Sequence, residues 1–112
     1  MEDMKETLKE VNHSLNRLGK EYPEVLKAFS EFMGAVEKEG ALSVKTKELI
    51  AVALSVVGKC KWCIAFHVNN ALKAGATKNE IMEACFVAAL MGGGPALMYV
   101  QLVVKALDQY SK

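Results

Sequence analysis

Apolar residues recur along this chain at intervals of three and four, the spacing of one helix face, and nowhere with the alternation of a half-buried strand. Met4, Leu8, Val11, Leu15 and Leu18 form a first stripe over Glu2 to Leu18, which Gly19 is expected to end. Pro23 can open a second helix running to about Glu39, with Leu26, Phe29, Phe32, Met33 and Val36 facing inward and Gly40 as its stop. Ser43 is placed to cap a third helix through Val57, broken by Gly58. A fourth starts near Cys60 and reaches Lys73 or Ala74, with Gly75 as the left-handed residue behind it. Thr77 and Glu80 have capping-box spacing and start a fifth that ends near Met91, and Pro95 suits the first turn of a sixth. The pattern predicts an all-α bundle of about six helices, with no internal repeat and no low-complexity tract.

Ala84 to Val104 carries no charge and is long enough on paper to cross a bilayer. Gly92-Gly93-Gly94-Pro95 cuts that stretch and Gln101 interrupts its second half, so two buried helices joined by a tight turn are expected instead. A helix that is apolar all round must be covered all round. So small a chain has little of its own to do the covering, so part of Val87 to Val104 is expected in a subunit interface and the protein to be a homo-oligomer.

Composition narrows the field. With 112 residues, 52% of them hydrophobic, the chain suits one globular domain over residues 1–112. A formal charge of +1 conceals no basic block, and lysines alternate with glutamates over the first forty positions, which argues against a nucleic-acid partner. Met1 to Glu10 is charged throughout and does not read as a secretory leader, so a cytoplasmic, reducing setting and transient disulfides are expected.

The densest chemistry lies in Cys60-Lys61-Trp62-Cys63-Ile64-Ala65-Phe66-His67. On a helix, residues at i, i+3 and i+7 share a face, so the two thiols and the imidazole fall in a row. A Cβ separation of about 5 to 6 Å for such neighbours needs only a small adjustment to form a disulfide. The loop so closed is too short to restrain an unfolded chain much, which favours a reactive pair over a structural staple. A thiol of ordinary pKa, about 8.5, is mostly protonated at neutral pH. A helix N-terminus near Cys60, His67 as proton acceptor, and to a lesser extent Lys59 and Lys61 could each favour thiolate. On this ground alone Cys60, nearest the helix start, is the better nucleophile.

Glu48, followed by the apolar run Leu49 to Leu54, has two placements. It can sit at the solvent edge of a first turn, the commoner fate of a glutamate, where it favours the helix dipole. Alternatively it crosses a helical hairpin to His67, fixing the imidazole tautomer and passing its proton. Cys85, between Ala84 and Phe86, reads as a small buried apolar residue, and His13, among Asn12, Ser14 and Asn16, as solvated. Met33, Met82, Met91 and Met98 fall at core-like positions. Phe66 is expected to pack inward, and Trp62 to cover the dithiol or offer substrate a flat surface.

Glu48, Cys60, Cys63 and His67, followed by Asn70, Ala71, Gly75, Ala76 and Glu80, together resemble the carboxymuconolactone decarboxylase-like superfamily in its alkylhydroperoxidase D-like branch. The resemblance spans roughly Tyr22 to Lys105 and is most specific from Leu42 to Glu83, where Leu42-Ser43 and Lys47-Glu48-Leu49-Ile50 resemble the family's entry into this helix. It implies an all-α fold that assembles into trimers or hexamers. It implies a peroxidase in which Cys63 attacks the hydroperoxide and becomes a sulfenic acid. Cys60 would then act as proton donor and resolve that acid as a disulfide, with His67 and Glu48 as proton relay. A dithiol such as a protein-bound dihydrolipoyl group would reduce the disulfide, without metal or haem.

Competing readings use the same residues. The superfamily's muconolactone-decarboxylating branch generally lacks the cysteine pair, which argues against a lyase. Zinc would suit two thiolates, an imidazole and a carboxylate, but the motif ligands crowd onto two turns without a second cysteine pair. Haem attachment would need histidine where Ile64 stands. A dithiol carrier or disulfide reductase for a partner protein would use Cys60 and Cys63 equally.

Overall fold

The computed structural model describes residues 2–111, which form five helices: α1 (Met4–Glu21), α2 (Pro23–Glu37), α3 (Val44–Val57), α4 (Lys61–Lys73) and α5 (Lys78–Tyr110). Local chemistry accounts for most of their ends. Asp3 caps α1 by accepting the Glu6 N–H, and Ser43 caps α3 by accepting that of Thr46. Thr77 and Glu80 close a capping box, 3.1 Å from the Glu80 N–H to Thr77 Oγ1 and 2.9 Å from the Thr77 N–H to Glu80 Oε1. That amide, with Lys45 3.0 Å away, holds the Glu80 carboxyl below the ordinary glutamate pKa. Gly75 takes the left-handed conformation at φ +92° that releases the chain from α4.

Two ends depart from expectation. Gly19 does not stop α1, which continues to Glu21. An interior glycine costs only about 1 kcal/mol, whereas Pro23 bars Tyr22 from the helical region and Tyr22 turns away at φ −135°. At the other boundary α2 stops at Glu37, short of Gly40. Lys38 is extended there, and Lys47 reaches back from α3 to donate to the Val36 and Lys38 carbonyls at 2.8 and 2.6 Å.

The expected fifth and sixth helices meet at Gly93, where non-helical backbone separates two helical segments that run on as the single element α5, so five elements are counted where about six were expected. Pro95 cannot continue a helix from the preceding turn, because its ring clashes with the carbonyl four residues back and it lacks an N–H. Gly93 resolves this alone, at φ +75° and ψ −163°, a region essentially closed to other residues. The chain resumes its helix at once with Pro95 in the first turn, and the expected turn shrinks to one residue.

α3 lies at the centre, packed most extensively on α5 and α4, while α1 crosses α4 and α2 leans mainly on α1. Val52 and Val56 of α3, Ile64 and Val68 of α4, and Ile81 and Val103 of α5 are fully buried, joined by Met4 of α1. Although α5 is apolar and long enough to span a bilayer, one of its stripes forms this core. The Tyr110 hydroxyl donates to the Ala65 carbonyl at 2.9 Å and lies 3.3 Å from that of Met4, while Gln109 accepts the Met4 N–H at 2.6 Å. These bonds tie the end of α5 to α1 and α4.

α2 overturns the expectation of an inward face: it has no buried residue, and Phe29, Phe32 and Val36 lie open, Phe32 66% exposed. Leu15 and Leu18 at the end of α1 are also exposed, as are Met91 and Met98, which the spacing placed in the core. With α3 already covered by α4 and α5, nothing among the described residues shields them.

Gly93→Ala is expected to lower stability by roughly 1–3 kcal/mol in chemical denaturation, the cost of a strained φ/ψ region. Gly94→Ala, whose added methyl meets nothing within 4 Å, should be neutral or stabilising by up to about 1 kcal/mol.

Candidate functional site

The turn between α3 and α4 is three residues long. Gly58 closes α3, Lys59 follows at φ +54°, and Cys60 is extended with its N–H on the Ser55 carbonyl at 3.1 Å. A lysine in the left-handed region is strained by roughly 1–2 kcal/mol, held by the helices on either side. Cys60 thereby becomes the N-cap of α4, its Sγ accepting the Cys63 N–H at 3.1 Å. Ser, Thr or Asp usually takes that place. A sulfur there faces free amide N–H groups and the positive end of the helix, which favours thiolate.

Cys60 and Cys63 are joined as a disulfide, their Cα atoms 5.2 Å apart. Both cysteines are half-buried. Trp62 between them is half exposed, its Nε1–H on Glu10 Oε2 at 3.2 Å, with Lys61 Nζ 5.0 Å from the ring centre and 3.5 Å from Glu2. Lys61 and Trp62 help line an open groove of about 450 Å³, with Lys59, Tyr99, Leu102 and Lys105 also on its wall.

Of the two placements open to Glu48, the structure has the one against His67. The carboxyl is buried and its Oε1 lies 2.8 Å from His67 Nδ1. An ionised carboxylate can only accept, so Nδ1 carries the proton and Nε2 is left as the basic nitrogen. His67 follows Cys63 by four residues, one turn along the same face of α4. Phe66 is half-buried and packs edge-on to the imidazole at 5.1 Å between ring centres. The hairpin thus brings Glu48 and His67 together on the helix that carries the dithiol.

One member was missed from sequence. Glu37, the last residue of α2, has a carboxyl oxygen within 4.8 Å of donor atoms of both Glu48 and His67. Burial raises its pKa, a hydrogen bond to Glu48 and that group's negative charge add to the rise, and His67 opposes it. A carboxyl raised in the fold contributes stability below the ordinary glutamate pKa, and loses it as pH climbs through the folded value. In Val36-Glu37-Lys38-Glu39 nothing local separates Glu37 from a solvated helix end; the packing of α2, with the Lys47 clamp on that end, puts it here.

Glu48 Oε1 and His67 Nδ1 are engaged with each other, so within this cluster His67 Nε2 is the ring nitrogen left open. In the disulfide neither sulfur offers a thiolate ligand. Cys85 stands apart from the site, wholly buried in the core, and burial pushes its thiol up to about 11. Burial likewise pushes the Tyr110 phenol, which braces α4, to about 12. His13 is exposed, as read from its neighbours.

The sequence profile of the carboxymuconolactone decarboxylase family matches residues 23–106. An uncharacterized protein of Cupriavidus necator is 38% identical over 106 residues, 95% of this chain and 94% of that one. The alkyl hydroperoxide reductase AhpD of Coxiella burnetii is 37% identical over 49 residues, which cover 44% of this chain and 28% of that enzyme. Among solved structures, a carboxymuconolactone decarboxylase family protein from Legionella pneumophila superposes with a TM-score of 0.94 at 41% identity, over 97% of each chain. A protein of that family from Thermotoga maritima superposes at 0.82 with 31% identity, over 93% of this chain and 89% of that one.

Alkylation separates the three thiols. The reduced native protein at pH 8 should take up label at Cys60 and Cys63 and leave Cys85 free until the fold is denatured, as read by peptide mass spectrometry; early labelling of Cys85 would contradict its burial.

Proposed function

The chain belongs to the carboxymuconolactone decarboxylase family, and on that premise we propose that it is a thiol-dependent peroxidase of the alkylhydroperoxidase D-like kind, acting through Cys60 and Cys63. The observation that carries this reading is a disulfide-forming pair at the start of a helix whose next turn holds His67 against a buried Glu48. The match to the Coxiella burnetii alkyl hydroperoxide reductase supports it, as does the role in antioxidative response suggested for the Thermotoga maritima protein.

In the reduced protein, His67 Nε2 takes the proton of Cys63, and Glu48 stabilises the imidazolium that forms. Cys63 Sγ attacks the terminal oxygen of ROOH, the O–O bond breaks, and the alkoxide takes the proton of Cys60, giving ROH and a sulfenic acid on Cys63. Cys60 is left as a thiolate at the helix N-terminus, where it is stabilised. It attacks Cys63 Sγ, and the departing hydroxide takes the proton held on His67, so one peroxide yields ROH, water and one disulfide. General chemistry favours thiolate on Cys60, and family resemblance puts first attack on Cys63. The two are compatible, because a stabilised Cys60 is also the better leaving group when a reductant attacks Cys63.

That reductant is an external dithiol, such as a protein-bound dihydrolipoyl group, and a reducing, cytoplasmic setting would supply it. The working form is a homo-oligomer, trimer or hexamer. The uncovered faces of α2 and α5 support this, with Leu90 80% and Met91 79% exposed beside Phe86 and Val87. Sedimentation of the purified protein should give a trimer or larger, reduced toward monomer by Phe32→Glu. A monomeric wild type would count against the assembly.

Stopped-flow consumption of an organic hydroperoxide by the pre-reduced protein tests the chemistry. Two thiols per chain should disappear per equivalent of peroxide. Cys63→Ser should abolish consumption, and Cys60→Ser should leave a sulfenic acid on Cys63 that dimedone traps. Glu48→Gln and His67→Asn should each slow the reaction by about 10²–10⁴-fold. Unaltered consumption by Cys63→Ser would remove it as nucleophile. Thiols untouched by peroxide but oxidised by a disulfide-bearing partner would favour the carrier.

A further inference from the structure

Three side chains converge, one on the dithiol helix and two from the helices against it, and the mechanism above uses only two of them. Glu37 ends α2, Glu48 lies in the first turns of α3 and His67 is on α4, with one donor atom of each within 4.8 Å of the others. Two carboxyls this close, one of them buried, do not both ionise; one keeps a proton and gives it to the other as a hydrogen bond. Glu48 already has a donor in His67 Nδ1 at 2.8 Å.

Among the described residues no lysine forms an ion pair with Glu37. Lys47 spends its ammonium on the Val36 and Lys38 carbonyls, and Lys45 pairs with Glu80 at 3.0 Å. Glu39 accepts the Val44 N–H at 3.3 Å. The charged groups that bear on Glu37 are therefore Glu48 from α3 and His67 from α4.

We propose that Glu37 is a positioning residue of this relay: its carboxyl, carrying the shared proton, donates to Glu48 and holds Glu48 against His67 Nδ1. Its consequence for turnover rests on the peroxidase reading, whereas the hydrogen-bond arrangement does not. The direction of the Glu37 pKa agrees, since burial and Glu48 both favour the protonated form. While Glu37 is protonated the two carboxyls share one negative charge, enough to balance one imidazolium. As pH rises through the Glu37 titration a second charge appears, Glu37 stops donating, and the two carboxylates repel. The tip of α2 would thus set the pH range over which Glu48 holds the imidazole in place.

Two variants and two readouts test this. Glu37→Gln keeps a neutral donor that cannot ionise, and Glu37→Leu removes the donor. In a pH titration of the reduced protein by NMR, the His67 ring signals, identified by their loss in His67→Asn, should show an inflection from Glu37 besides that of the imidazole. Both variants should lose that extra inflection. Peroxide consumption should fall between about tenfold and a hundredfold in Glu37→Leu, the scale of a misplaced catalytic group, and Glu37→Gln should restore it. The restored activity should no longer follow the Glu37 step. Identical His67 titrations in wild type and Glu37→Gln would overturn the proposal, as would full activity in a folded Glu37→Leu. An extra inflection that Glu37→Gln removes, in a protein that consumes no peroxide, would uphold the Glu37 arrangement and sink the peroxidase reading instead.

Discussion

A carboxylate with almost no solvent needs a donor, and Glu48 has one in His67 at 2.8 Å. For the two to meet, α3 must reverse into α4 within three residues, which sets the turn at Gly58 and Lys59 and makes Cys60 the cap of the new helix. The core follows from that reversal, since α3 and α4 present Val52, Val56, Ile64 and Val68 together to α5. With α4 braced from behind by Tyr110, the imidazole and the dithiol keep a fixed relation on one rigid element.

The same cap has a structural and a chemical role. Cys60 Sγ satisfies an amide that a serine or aspartate would normally satisfy, and that amide would stabilise the sulfur as a thiolate. A residue chosen only for capping would not be a thiol, and one chosen only for reactivity would not need to close the helix. Lys59 belongs to the same compromise, as a left-handed lysine that costs stability and lets the pair face outward from a tight turn. Cys85, in the core, shows the contrast: deprived of water, its thiol is pushed up to about 11.

Much of the surface is unfinished for a chain on its own. α2 buries nothing, and α5 leaves Leu90 and Met91 open although its other face is core. Both helices were expected to be covered, and in one chain they are not, because α4 and α5 already occupy α3. α2 nevertheless contributes to the site at its tip, where Lys47 clamps its last carbonyls and Glu37 reaches Glu48.

The sequence by itself determined whatever depends on neighbours a few positions apart. The caps at Ser43 and Thr77, the left-handed Gly75, the opening of α2 at Pro23 and the alignment of Cys60, Cys63 and His67 on one turn-by-turn face are all local, set by spacing and by backbone preference. Whatever depends on which surfaces meet was decided by tertiary structure. Glu48 read more readily as a solvated residue of a first turn until the hairpin buried it. Glu37 looked like part of a charged helix end, and the phenylalanines of α2 looked like core. The physical reason is the same throughout: a residue's periodicity says which face of its own helix it occupies, while burial and pairing depend on what the rest of the chain has left to put against that face.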